Sequence, residues 1–303
     1  MKRITLLTNP DKCNLNCPLC FLNQRGFSRC SLGVGEMSFE TARAAIEKYA
    51  AEYDASGMRK LREVIPSTMG EPLLYSHFDE LLALCESFEI PLNLTTNGTF
   101  PGQWGSDAGM ASLLRACSDI KVSYLASEEF DGWKANVEKL LKVRRMLMAE
   151  CSAQTEDATR VGDGANFMIN ARTFRIATVS LQVTLHKKNV DKAAELVLWA
   201  SSVGINRIKW NPVVFLSVAS RKLRDAYALD DSLLDALRKD LRTGSLSALN
   251  VKHEGSLFFN NGVDYCAVGG KCESCPFADE VWVWPDGHED HCPNPERRFG
   301  GAR

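Results

Sequence analysis

The sequence predicts an α/β fold: a parallel sheet of roughly six βα units followed by a small cysteine-rich module. Three observations carry this. Short β-rich runs alternate with longer amphipathic helices from about residue 3 to residue 214. After Pro212 the pattern changes, and from Asn250 onward Gly, Cys and turn residues dominate. The cysteines fall into two clusters, Cys13, Cys17 and Cys20 at the front and Cys266, Cys272, Cys275 and Cys292 at the back.

Taken in order, Ile4–Thr8 reads as the first strand. Ser38 offers a helix N-cap, and Phe39–Tyr53 follows with Ala, Ile and Tyr at helical spacing. Leu61–Ser67 is strand-like and His77–Phe88 helical. Leu92–Thr96 is a strand ended by the turn pair Asn97-Gly98. Ile120–Leu125 is a strand and Asp131–Met148 a helix. Residues 149–172 have weak periodicity and several Gly, Asp and Thr residues, as expected of an inserted loop or lid. Phe174–Leu185 is a strand, Asp191–Val203 a helix and Ile205–Val214 a strand. Right-handed crossovers at this spacing give either a barrel or an open arc. Asp230–Leu241 is a further helix, and Leu257–Phe259 and Val281–Trp284 are short strands. The expected division is residues 1–215 and 216–303.

The chain has 303 residues, enough for a large core. A net charge of -2 provides no global basic field for nucleic acid. No apolar run is long enough to span a bilayer, and the apolar stretch before Asn9-Pro10 is too short for a secretory signal. The expectation is a cytoplasmic protein without a membrane partner. Eleven cysteines in such a chain read as two metal sites plus bystanders rather than disulfides. Cys85 and Cys117 fall in helical patterns and are expected in the core. Cys30 and Cys151 are given no role, Trp199 is expected in the core, and His186 ends a strand without an evident partner.

The loop after the first strand reads Asn9-Pro10-Asp11-Lys12-Cys13-Asn14-Leu15-Asn16-Cys17-Pro18-Leu19-Cys20-Phe21. In α/β sheets, ligands bind at the carboxyl ends of strands. Three thiolates select an iron–sulfur cluster or zinc, and a missing fourth ligand leaves an open site. On spacing alone, a zinc knuckle stays open as the alternative.

Cys-x3-Cys-x2-Cys followed by an aromatic resembles the signature of the radical S-adenosylmethionine (SAM) superfamily. Met69-Gly70-Glu71-Pro72 resembles that family's Gly-Gly-Glu-Pro motif, with Met in place of the first Gly. Thr95-Thr96-Asn97-Gly98 is similar to its Thr-Asn-Gly. Ser123 resembles a hydroxyl that meets SAM, although Ser-Tyr-Leu-Ala stands where family members carry Ser-Leu-Asp-Gly. The resemblance implies a partial (β/α)6 TIM-like barrel. It implies a [4Fe–4S] cluster on Cys13, Cys17 and Cys20 whose open iron is chelated by SAM. SAM contacts would come from Gly70, Glu71, Pro72, Thr96, Asn97 and Ser123, with Asn211 at the adenine, and a reductant such as flavodoxin or ferredoxin would be the partner.

At the back, Cys272-x2-Cys275 is a two-ligand chelate, and a hairpin with Pro285-Asp286-Gly287 at its turn returns the chain to Cys292. This resembles a twitch-like auxiliary domain of the SPASM type carrying a second [4Fe–4S] cluster. Cys266 is either its fourth ligand or a free thiol that returns a hydrogen atom to a substrate radical. A zinc site completed by His288 or His291 is the competing reading. Trp282 and Trp284 are expected to pack over this second cluster. Residues 254–296 are acidic, and if Glu254, Asp264, Glu273, Asp279, Glu280, Asp286, Glu289, Asp290 and Glu296 line the cleft they attract a cation. The expected function is epimerisation or dehydrogenation of a small amino-sugar-like substrate. The alternatives are radical modification of a peptide and a zinc protein that binds nucleic acid.

Overall fold

The computed structural model describes residues 3–26, 34–66, 69–125, 130–153, 165–169, 172–258 and 279–292. Its strands are β1 (Arg3–Leu6), β2 (Glu63–Pro66), β3 (Leu92–Thr96), β4 (Cys117–Tyr124), β5 (Ala165–Ile169), β6 (Arg172–Ile176), β7 (Thr178–Leu185), β8 (Arg207–Pro212), β9 (Lys252–Glu254), β10 (Glu280–Val283) and β11 (Glu289–Asp290). Its α-helices are α1 (Phe21–Gln24), α2 (Phe39–Ala50), α3 (Phe78–Ser87), α4 (Asp107–Ala116), α5 (Phe130–Ala153), α6 (Ala193–Val203), α7 (Arg221–Tyr227) and α8 (Asp231–Thr243).

The main sheet runs β11-β10-β1-β2-β3-β4-β7-β8-β9, and only the β10–β11 pair is antiparallel. The six strands expected from the sequence form its centre in chain order. Each crossover adds its strand on the same side, so the order never reverses; this is the winding of an α/β barrel. Among the described residues β9 and β11 are the two outer edges of the sheet, as in an open arc.

The helices form where the sequence supplies an apolar face, and α2, α4, α7 and α8 also have a side-chain cap. Ser38 accepts from Thr41 N–H at the start of α2, and Ala42, Ala45, Ile46, Tyr49 and Ala50 are buried. Past a register shift where β3 and β4 begin to pair, side chains alternate between the two faces. On β4, Ile120, Val122 and Tyr124 face the helices, while Asp119, Lys121 and Ser123 lie on the opposite, lumen side. The lumen is polar at its amino-terminal end. Asp119 accepts from Thr178 Oγ1 (2.7 Å) and Ser180 Oγ (2.9 Å) and pairs with Arg207. Lys121 donates to Asn93 and lies 3.8 Å from Asp119. Arg3 pairs with Glu63 at 3.1 Å. Burial pulls the Lys121 ammonium down to about 8 and lowers Lys209 as well.

Several findings differ from the sequence expectations. Where a strand was expected over Leu257–Phe259 the chain forms a short 3-10 turn over Ser256–Phe258, and α4 and β9 were not expected. The inserted segment contains regular structure: α5 runs on to Ala153, and β5 and β6 pair as a separate two-stranded antiparallel sheet. The expected strand Phe174–Leu185 is therefore two strands, split at Ala177. The C-terminal hairpin does not stand apart, because β10 pairs in parallel with β1, from Arg3↔Glu280 to Leu6↔Val283. The Pro285-Asp286-Gly287 turn is as read. Gly287 has φ +85°, its N–H donates to Trp284 O (2.9 Å), and Asp286 accepts from His288 N–H (3.1 Å). Cys85 and Cys117 are core residues, and burial pushes the Cys85 thiol up to about 12. Trp199 is partly buried against the core and donates to Glu138 (2.8 Å).

Candidate functional site at the carboxyl ends of the strands

The cysteine loop leaves β1 and is clipped to the turn after β2. Asn9 is 1% exposed, and its Nδ2 donates to Glu71 O at 2.7 Å. Glu71 N–H donates to Lys12 O at 2.9 Å. Gly70 lies between these bonds with φ +75°. A Cβ there would sit 2.2 Å from Asn9 O and 2.7 Å from Lys12 O. Only glycine permits this approach of two backbones. Asn9 was not singled out by sequence reasoning, although the Asn-Pro pair was a visible turn signal.

The three thiols are half-buried. Cys13 Sγ receives Leu15 N–H (3.5 Å) and Asn97 Nδ2 (3.7 Å). Cys20 N–H donates to Cys17 O (3.0 Å), and Gln24 N–H to Cys20 O (2.9 Å), so Cys20 opens α1. Gln24 is 4% exposed and uses its whole amide. Nε2 donates to Leu19 O and Val214 O (both 3.0 Å), and Oε1 accepts from Leu216 N–H (2.8 Å). It fastens the end of the cysteine loop to the segment after β8. No group of three His, Cys, Asp or Glu side chains is gathered for a metal ion among the described residues. The donor set itself is three thiols on one loop, one of them receiving N–H donors. That chemistry fits a thiolate-ligated iron–sulfur cluster with one open iron.

Glu71 is placed differently from its expected role toward SAM's ammonium. Its carboxylate is fully buried and accepts from Thr96 Oγ1 (2.8 Å), Asn97 N–H (2.8 Å) and Leu73 N–H (3.3 Å). Burial pushes it up to about 7, against the pull of these donors. The carboxylate therefore ties β2 to β3. Thr96 shares that bond, on the helix-facing side of β3. Pro72 is buried and opens a short turn over Pro72–Leu74. Ser123 keeps its lumen position, and its carbonyl accepts from Trp133 Nε1 (3.0 Å). Register aligns Ser123 with Gln182 and Lys209. Asn211 Oδ1 accepts from Ser256 N–H and Oγ, both at 3.2 Å, so it holds the loop after β9.

A second apolar cluster roofs one side of the cysteine loop: Leu7, Leu22, Met69, Leu216 and Trp284, with Cys20 and Trp282 packed against it. Met69, the departure from the family's glycine, fills this roof. Trp284 stacks on His288 (centroids 5.1 Å apart) and donates to Asp290 (3.0 Å). The tryptophans thus lie beside the first cysteine loop. Cys292 is half-buried at the end of the hairpin; Cys266, Cys272, Cys275 and Cys30 lie outside the described residues.

The described acids of the C-terminal strip are largely engaged within the protein. Glu289 pairs with Lys48 (2.8 Å) and Tyr49 (2.7 Å), Glu280 with Arg3, Asp286 with His288, and Glu254 with Lys252. His186 does have partners. Lys188 N–H donates to its Nδ1 (3.2 Å), which leaves Nε2–H to donate to Leu125 O (2.8 Å). It pins the end of β7 to the end of β4.

No protein-family model and no curated protein matches the sequence. Solved structures do match its fold. SuiB of Streptococcus suis matches over 96% of this chain with TM-score 0.60 and 12% identity. SuiB bound to the precursor peptide SuiA matches over 96% with TM-score 0.56 and 14% identity. Native anSMEcpe with bound AdoMet and Kp18Cys peptide matches over 96% with TM-score 0.57 and 16% identity, and 74% of that chain is covered. The chain spans only 60% and 59% of the two SuiB chains. No described helix is long and apolar enough to cross a membrane. The matches over 96% of the chain give this chain the fold of SuiB and anSMEcpe.

Proposed function

We propose that the chain is a radical SAM enzyme in which Cys13, Cys17 and Cys20 hold a [4Fe–4S] cluster. The observation that carries the reading is the cysteine loop clipped to Gly70–Glu71 and to Asn97, where three strand ends meet. When bound, cluster and SAM supply an electron that splits the sulfonium and a 5′-deoxyadenosyl radical that takes hydrogen from a C–H bond. The chain's own residues hold and shield. Asn9, Gly70 and Gln24 fix the loop, and the Leu7–Met69–Trp284 roof excludes water from one side of it. Ser123, Gln182 and Lys209 offer a hydroxyl, an amide and an ammonium along one row of the lumen.

Cys272, Cys275 and Cys292 hold a second [4Fe–4S] cluster in a twitch-like region over residues 216–303, with Cys266 as fourth ligand or hydrogen-atom donor. A small amino-sugar-like substrate, epimerised or dehydrogenated in the cytoplasm with electrons from flavodoxin or ferredoxin, is the first reading. It is supported by the acidic composition of residues 254–296, although several of those acids have internal partners. A second reading, peptide modification, is favoured by the peptides bound to SuiB and anSMEcpe.

The test is anaerobic purification with iron and sulfide analysis. The expected protein is brown with about eight irons per chain, and with dithionite and SAM it releases 5′-deoxyadenosine. Cys17→Ala is expected to abolish that release. A colourless zinc protein overturns the reading. With substrate in deuterated water, one labelled inverted carbon supports epimerisation, and loss of the label in Cys266→Ala names the donor.

A further inference from the structure

We infer that Asn97 is a positioning residue for Cys13, and that its amide–sulfur hydrogen bond raises the reduction potential of the cluster held there. This rests on the proposed function. Asn97 Nδ2 lies 3.7 Å from Cys13 Sγ and 2.8 Å from Asn14 Oδ1.

The orientation of the amide follows from its other end. Asn97 Oδ1 accepts from Thr99 N–H (2.9 Å) and Thr99 Oγ1 (2.7 Å). A backbone N–H can only donate, so the oxygen end faces Thr99 and the NH2 end faces the thiol. Thr99 Oγ1 in turn accepts from Asn14 Nδ2 (2.8 Å), which closes a ring of Asn14, Thr99 and Asn97 beside Cys13.

The backbone beneath this ring is stiff. Asn97 N–H donates to the buried carboxylate of Glu71 at 2.8 Å. Gly98 has φ +81°, and a Cβ there would lie 2.7 Å from Val122 Cγ1 and 2.8 Å from Trp133 Nε1. The turn after β3 is therefore packed closely against β4 and α5. Leu15 N–H, at 3.5 Å, adds a second donor to the same sulfur.

A reduced cluster carries one more electron than an oxidised one, and part of that charge resides on its thiolate sulfurs. N–H donors stabilise the reduced form more and so raise the potential. The electron comes from dithionite in vitro and from the low-potential reductant of the proposed function.

The experiment is an EPR-monitored dithionite titration of the full-length, cluster-loaded protein, following the signal that changes when SAM is added. Iron content and the urea midpoint are measured on the same samples. Asn97→Leu keeps the shape and removes the donor. At a fixed potential its reduced-to-oxidised ratio is expected to fall about tenfold, a downward shift of about 59 mV for one electron. Asn97→Asp is expected to shift further, because it places a carboxylate at the sulfur. Thr99→Val frees the amide and is expected to shift part of the way. A merely structural role would move the urea midpoint or the iron content and leave the potential alone. Unchanged potentials in those variants that retain iron overturn the inference and leave the proposed function standing. A wild-type protein without a SAM-responsive signal overturns the proposed function itself.

Discussion

Gly70→Ala puts the clip between the cysteine loop and the β2 turn to a quantitative test. The left-handed φ of +75° alone costs a non-glycine residue about 1 kcal/mol. The added Cβ would lie 2.2 Å from Asn9 O and 2.7 Å from Lys12 O, and both atoms are backbone. Relief requires the two loops to part. That weakens the Glu71 N–H···Lys12 O bond (2.9 Å) and the Asn9 Nδ2···Glu71 O bond (2.7 Å). Each is worth about 1 kcal/mol net, and an orphaned buried group adds about 1 more. The sum is about 3–5 kcal/mol. Gly102→Ala is the internal control: its φ is +59°, and nothing lies within 4 Å of its added Cβ, so only the strain near 1 kcal/mol remains. Equilibrium urea unfolding with the slope checked, together with iron per chain, reads both variants. The expected result is a large midpoint drop and iron loss in Gly70→Ala only. Full iron and a loss no larger than that of Gly102→Ala would refute the reasoning.

Other perturbations probe the surrounding contacts. Gln24→Leu orphans Leu19 O, Val214 O and Leu216 N–H, so a loss of about 2–4 kcal/mol is expected by urea unfolding, with lower iron retention. Glu71 has its folded pKa raised to about 7 from 4.5, so the folded state holds the proton more tightly than the unfolded one. Its contribution to stability is greatest below 4.5 and is lost as pH rises through 7. Wild type is expected to lose about 3 kcal/mol relative to Glu71→Gln between pH 4.5 and 8, and a gain over that range contradicts the assignment. Asp119→Ala strands Arg207 and Lys121 in the lumen and is expected to cost about 3–5 kcal/mol. Lys121→Met leaves Asp119 with Arg207, Ser180 and Thr178, so a change of about 1 kcal/mol or less is expected in the same assay.

The central sheet was legible because its strands are short β-rich runs separated by amphipathic helices, of which α2 also shows its cap, Ser38, in the sequence. The β5–β6 pair was not, because its flanking Gly, Asp and Thr residues blur both periodicities. The pairing of β10 with β1 joins opposite ends of the chain, and no local pattern encodes such a partner. The same limit hid the fate of Glu289, whose cation, Lys48, sits on α2. At the site, Cys13, Cys17, Cys20 and the Gly70 turn were readable because their spacing and residue types are specific. The direction of a side chain was not. Glu71 has the charge to receive an ammonium, yet it turns to Thr96 and Asn97. Asn9, Gln24 and Thr99 act as single amides or hydroxyls, and nothing in their neighbours' spacing marks them. Met69 read as a departure from a motif and proves to be a filler of the apolar roof.

The most direct test of the account asks whether SAM touches the cluster held by the front cysteines. The measurement is electron–nuclear double resonance on the dithionite-reduced protein carrying Cys272→Ala, Cys275→Ala and Cys292→Ala, mixed with SAM labelled with 15N at its amino group and 13C at its carboxyl. The account predicts hyperfine coupling of both labels to the cluster, lost when Cys13, Cys17 or Cys20 is replaced by Ala. A cluster that shows no coupling, or coupling that survives those replacements, would contradict it.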